Sequence, residues 1–175
     1  MAGQVLVAGI GNIFLGDDGF GPEVVRRLAE HAPDDLAGRA RVVDYGIRGM
    51  HLAYDLLDGY DALVLVDALP GDGPPGEVTV LQVGAEDLTG RERREPSAFD
   101  AHGMDPTAVL ASLDALGGTL PPTYVVGCRP ASLEDGIGLS AEVEAALPAA
   151  VETVRRLVRT VAAGPGRVTA DDGRR

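Results

Sequence analysis

VLVAGIGNIFLGDDGFGPEVVRRL, residues 5–28, runs from an unbroken apolar hexapeptide through a glycine-rich turn with two adjacent carboxylates into an amphipathic pattern. Val5 to Ile10 are apolar without alternation, as a strand buried on both faces of a parallel sheet must be. Gly9 and Gly11 permit a sharp turn, and Pro22 suits the first turn of a helix that continues through Val24 and Leu28 to about His31. Asp17 and Asp18 therefore fall between a strand's carboxyl end and a helix start, the place where open α/β sheets build their sites.

Outward from that stretch, four more segments read as strands: Ala40 to Asp44, Ala62 to Asp67, Glu77 to Val83 and Thr123 to Gly127. Helices are expected from Gly49 to Leu57, from an Asp105 N-cap with Pro106 in the first turn, and from about Ser140 onward. In the third helix Val109, Leu113 and Leu116 share one face. In the fourth, Val143, Leu147, Val151, Val154 and Val158 form a stripe that Pro148 should kink or break. This order predicts a single doubly wound α/β domain over residues 1–163, with a twisted, mostly parallel five-stranded sheet and helices on both faces. The turn-rich connection Pro70 to Glu77 is short, so the strand after it is expected to pair antiparallel at an edge. Gly84 to Gly103, with Arg91, Arg93 and Arg94, reads as a long polar loop, and residues 164–175 as a disordered tail.

Composition narrows the function. The 175 residues carry a formal charge of −12, which argues against nucleic acid or an anionic membrane as partner. The single cysteine, Cys128, excludes an internal disulfide and any multi-cysteine metal site. Neither a charged leader with an apolar run nor a long apolar span is present, so a cytoplasmic protein is expected. Aromatic residues make up 4%, leaving Val, Leu, Ala and Ile to build the core.

Asp67 ends an apolar strand at the same sheet edge as Asp17 and Asp18. Alone it reads as a cap on the next turn, but an ionised acid is costly away from water unless paired or metal-bound, and here two strand ends each deliver one. His102, in AHGMD, adds an imidazole on a loop end. Two carboxylates and one imidazole make a donor set suited to Zn, Ni, Mn or Fe(II), with open positions for another ligand. His31 reads as a dipole partner at a helix end, His51 as a helix-start residue near the site, and Cys128 as a small buried residue. No G-x-S-x-G, H-E-x-x-H or Walker loop occurs, and Phe14 stands where a dinucleotide fingerprint needs glycine.

GIGNIFLGDDGFG, GIRGM at Gly46 to Met50, LVDAL at Leu65 to Leu69, AHGMD and GCRPASLEDGIGLS at Gly127 to Ser140 together resemble the hydrogenase maturation endopeptidases, from about Val5 to Val161. The resemblance implies a five-stranded α/β enzyme that removes the C-terminal extension of a [NiFe]-hydrogenase large-subunit precursor after nickel insertion. By that resemblance Asp18, where the family commonly carries Glu, Asp67 and His102 are the catalytic and nickel-interacting residues. The nickel comes with the substrate precursor, and no organic cofactor is implied. Three other readings compete: a hydrolase with a tightly held ion of its own, a nickel-handling scaffold without proteolytic activity, and, last, a dinucleotide oxidoreductase.

Overall fold

The two most apolar runs of the sequence become central strands. In the computed structural model, which describes residues 4–31, 36–84, 86 and 106–164, β1 (Val5–Ile10) is buried at every position, and β3 (Ala62–Ala68) at all but one. They lie side by side in a five-stranded sheet of order β2-β1-β3-β5-β4, with β2 (Ala40–Gly46), β4 (Val78–Val83) and β5 (Thr123–Cys128) completing it. The β1–β2, β1–β3 and β3–β5 pairs are parallel, whereas β4 runs antiparallel to β5 at the edge. The connection from β3 to β4 explains the reversal, since a parallel crossover needs roughly a dozen residues or more and the turn-rich Pro70–Glu77 stretch offers fewer.

Helices cover both faces. On one, α1 (Phe20–Glu30) and α4 (Ala141–Ala162) bury Phe20, Val24, Leu28, Leu147 and Val154 against Val5, Val7, Val64 and Val66. On the other, α2 (Gly49–Leu56) and α3 (Pro106–Ala115) place Leu52, Leu56 and Leu113 against Leu6, Ala8 and Leu63. Each fully buried Val or Leu contributes on the order of 1.5–3 kcal/mol relative to exposure, so these two layers supply the main driving force for the fold. Among the described residues no helix is long and apolar enough to cross a membrane.

Two local expectations change. The last helix runs unbroken through Pro148, because that residue sits on the exposed face, where water can satisfy the carbonyl left without an N–H partner. Leu116 is 40% exposed rather than part of the α3 stripe: the helix ends at Ala115, and Leu110 and Leu113 carry the burial instead. The expected Asp105 cap, the Arg91, Arg93 and Arg94 cluster and the tail from 165 to 175 lie outside the described residues.

Helix α1 approaches the sheet through glycine. A Cβ on Gly21 would lie 2.2 Å from both Ile10 O and Val66 O, and one on Gly9 would lie 2.6 Å from the Val25 side chain. Gly11, at φ +141°, turns the chain where a Cβ would come within 1.9 Å of Asp18 O. The glycines of GIGNIFLGDDGFG thus seat the helix directly on the ends of β1 and β3.

Candidate active site at the carboxyl edge of the sheet

Asp17 and Asp18 lie in a 3-10 turn, Gly16–Gly19, between β1 and α1. Both are buried, at 1% and 0% exposure, and the turn packs against β3. Asp67, the penultimate residue of β3, is 3% exposed and lies opposite Gly127 of β5. Strand alternation puts its side chain on the face of Leu63 and Leu65, the face covered by α2 and α3. Adjacent strands thus each deliver a buried acid to one edge. The third residue expected at the site, His102, lies outside the described residues, four positions before the start of α3.

The two neighbouring aspartates do different work. Asp17 is a brace: its Oδ2 accepts from Ala131 N at 2.7 Å, Ser132 N at 3.1 Å and the Ser140 hydroxyl at 2.9 Å, and its Oδ1 accepts from Ser140 N at 2.7 Å. Burial pushes this carboxyl up, but the hydrogen bonds from Ser140, Ser132 and Ala131 outweigh it and hold the pKa below the ordinary carboxylate value. Asp18 instead receives the backbone N–H of Asn12 on Oδ2 at 2.7 Å, and Asn12 Oδ1 accepts from Phe14 N at 3.0 Å. That relay fixes one edge of the Asp18 carboxylate and shapes the turn above it.

The strand ends are tied down as well. Arg129, just past β5, donates from Nη1 to the carbonyls of Leu69 and Pro70 at 2.7 and 3.1 Å, and its own backbone pairs with Gly76 and Glu77. The chain leaving Asp67 is therefore held by the residue that follows Cys128. Gly127 leaves room for Leu69, whose Cδ1 would lie 2.2 Å from a Cβ at that position.

Asn12 and Arg129 carry no signal in the sequence, Ser140 shows only as a helix start, and Asp17 shows only as the neighbour of Asp18 in the acid turn. The available signal was the polar run from Cys128 to Ser140, which has no periodic apolar pattern of its own and so must be held by something else. His31 meets its expected role, with Nδ1 3.3 Å from Arg27 O at the end of α1. His51 is exposed on α2, beside a pocket lined by Tyr45, Arg48 and Tyr54. Cys128 is buried, and burial together with the Asp17 charge raises its thiol pKa to about 11.

The fold is that of an open-sheet α/β protein that carries buried acids and a glycine-rich turn at the carboxyl edge of β1 and β3. The hydrogenase maturation protease family profile matches residues 22–157, and the chain belongs to that family of hydrolases. It is 32% identical over 161 residues to the hydrogenase expression/formation protein HupD of Rhizobium leguminosarum bv. viciae, covering 91% of this chain and 76% of that protein. It is 31% identical over 163 residues to the hydrogenase 2 maturation protease of Escherichia coli K12, covering 89% and 91%. Among solved structures, the hydrogenase maturating endopeptidase HybD from E. coli superposes with a TM-score of 0.70 at 29% identity, over 90% of this chain and 93% of that one. HybD from Thermococcus kodakarensis, a [NiFe] hydrogenase maturation protease, gives 0.71 at 29%, over 89% and 99%.

Proposed function

We propose that this protein is the endopeptidase that removes the C-terminal extension from a [NiFe]-hydrogenase large-subunit precursor once nickel has been inserted, acting in the cytoplasm. In this reading Asp18, Asp67 and His102 meet the nickel that the precursor carries, and the metal is part of the substrate rather than a resident cofactor. The observation that carries the reading is the burial of Asp18, in the turn that follows β1, and of Asp67, near the end of the adjacent strand β3. Buried carboxylates at one sheet edge are suited to meeting a cation that the substrate brings.

A donor set of two carboxylates and an imidazole is incomplete for nickel, which suits an ion whose other ligands come from the precursor. The chain's own residues then act as a checkpoint. With nickel in the precursor the acids gain an additional cationic contact as the complex closes, whereas nickel-free precursor does not supply it. Asn12 and the Asp17 brace hold the turn in place, so the geometry is prepared before the substrate arrives.

The test is mass spectrometry of nickel-loaded and nickel-free precursor after incubation with the protein. Loss of the C-terminal extension from the loaded form alone is expected. Equal cleavage of both forms would remove the checkpoint, and complex formation with no change in precursor mass would favour a nickel-handling scaffold. Metal analysis of freshly purified protein should find no stoichiometric ion; a resident one would favour a hydrolase with its own metal.

A further inference from the structure

Ile137 is 80% exposed, Phe14 60% and Ile13 49%, and the two segments that carry them are fastened together. Gly16 N–H donates to Gly136 O at 2.9 Å and Gly136 N–H to Phe14 O at 2.8 Å, forming a bridge beside Leu15. Gly138, at φ +105°, supplies the turn after Ile137 that a side-chain-bearing residue rarely adopts. The Asp17 carboxylate anchors the same loop on either side of its tip, through Ala131 and Ser132 before it and Ser140 after it. Large apolar side chains are thus held out in water by a rigid, hydrogen-bonded frame, although nothing in the fold requires their exposure.

Ile13 and Ile137 also wall a groove of about 620 Å³ that continues over Pro22, Val25 and Ala29 of α1 to Val42 of β2. Its near end includes Gly16 and Gly19, the residues that bound the turn holding Asp18. The charged residues along it are engaged within the protein: Glu23 with Arg26 and Arg27, Arg26 also with Glu30, Glu144 with Arg27, and Asp44 with the Gly46 N–H. The groove therefore calls for an apolar occupant, and it opens from the acid turn itself.

We infer that this groove and its Ile13–Phe14–Ile137 rim form the docking surface for an extended, apolar stretch of the precursor polypeptide flanking the bond to be cut. The inference rests on the endopeptidase reading and extends it, because it assigns substrate grip to a surface separate from the nickel-sensing acids. Large apolar groups at a pre-ordered rim are the kind of anchor that gives protein interfaces their affinity, and rigidity lowers the entropic cost of seating the peptide. A second copy of this chain is the rival occupant.

The experiment compares wild type with Ile137→Asp, at the rim, and Ala29→Glu, at the far end of the groove and remote from Asp18. Leu81→Asp, at an exposed apolar position of β4, serves as control. Binding of the nickel-loaded precursor is measured by calorimetry, cleavage by steady-state kinetics, and folding by thermal melting. The expected result is a tenfold or greater rise in Kd and KM for both groove variants, with kcat within threefold of wild type, unchanged melting and no effect in the control. Unaltered Kd in the groove variants, an equal loss in Leu81→Asp, or a wild-type dimer in ultracentrifugation that Ile137→Asp dissolves would each overturn the assignment, as would absence of precursor binding by wild type. If wild type binds the precursor without cutting it, the endopeptidase reading fails, while the docking surface stands or falls on the Kd values.

Discussion

Asp17 and Ser140 are joined twice: the Ser140 N–H reaches Oδ1 at 2.7 Å, and its hydroxyl reaches Oδ2 at 2.9 Å while also capping α4 by accepting from Val143 N at 3.4 Å. A carboxylate in the first turn of the chain thus fixes the start of its last helix. Removing it in Asp17→Ala strands four donors in a buried place, so a stability loss of about 3 kcal/mol or more is expected in urea unfolding.

The same carboxylate sets an acid limit. Its folded pKa lies below the ordinary carboxylate value, so the native state holds fewer protons than the unfolded chain as that group titrates. Its contribution is complete above the unfolded value and is lost as pH falls through the folded one. Melting temperature followed from pH 6 to pH 2 should therefore drop more steeply below about pH 4 in wild type than in Asp17→Asn. Parallel curves would show that Asp17 does not carry this part of the acid sensitivity.

Gly21 seats α1 on the sheet with no room for a methyl, since the two carbonyls that a Cβ would meet belong to the backbones of β1 and β3 and cannot rotate away. Gly21→Ala is expected to push the helix outward and cost about 3 kcal/mol, at the upper end of typical overpacking penalties. Chemical denaturation measures the loss. Because the displaced helix follows the Asp18 turn directly, precursor cleavage should fall with it.

These relationships show what the sequence could and could not reveal. β1 and β3 were legible because strands buried on both faces carry no polar alternation, and the antiparallel edge was legible because Pro70–Glu77 is too short for a crossover. Asp17 and Asp18 were not separable: both are aspartates in one glycine-rich turn, and the donors that distinguish them lie 114 to 123 residues away. Arg129 was hidden for the same reason, since its contact with Leu69 spans 60 residues. The exposure of Leu116 was missed because an i, i+4, i+7 stripe does not say where the helix stops. His102, singled out from its company with two acids, remains a proposal because it lies outside the described residues.

Cys128 should be chemically silent. It is 1% exposed with a thiol pKa near 11, so almost no thiolate exists at pH 8 and the little that forms is shielded. Native protein treated with iodoacetamide at pH 8 is expected to remain unmodified by mass, while denatured protein takes up one adduct. Full labelling of the native form within minutes would mean that the strand end beside Asp67 opens far more readily than its hydrogen bonds imply.

Asp67 offers the sharpest separation of stability from function. A buried acid at the tip of a central strand is kept only where something compensates its charge. Asp67→Asn keeps the shape and removes the charge, so the protein should still melt in a single cooperative transition. Cleavage of nickel-loaded precursor should meanwhile fall by about 100-fold or more, the loss typical when an essential catalytic group is removed. Asp18→Asn should lose activity similarly, although it also weakens the Asn12 contact and with it the turn. Wild-type cleavage by Asp67→Asn together with reduced stability would assign this acid a purely architectural task and leave the nickel checkpoint without its second carboxylate.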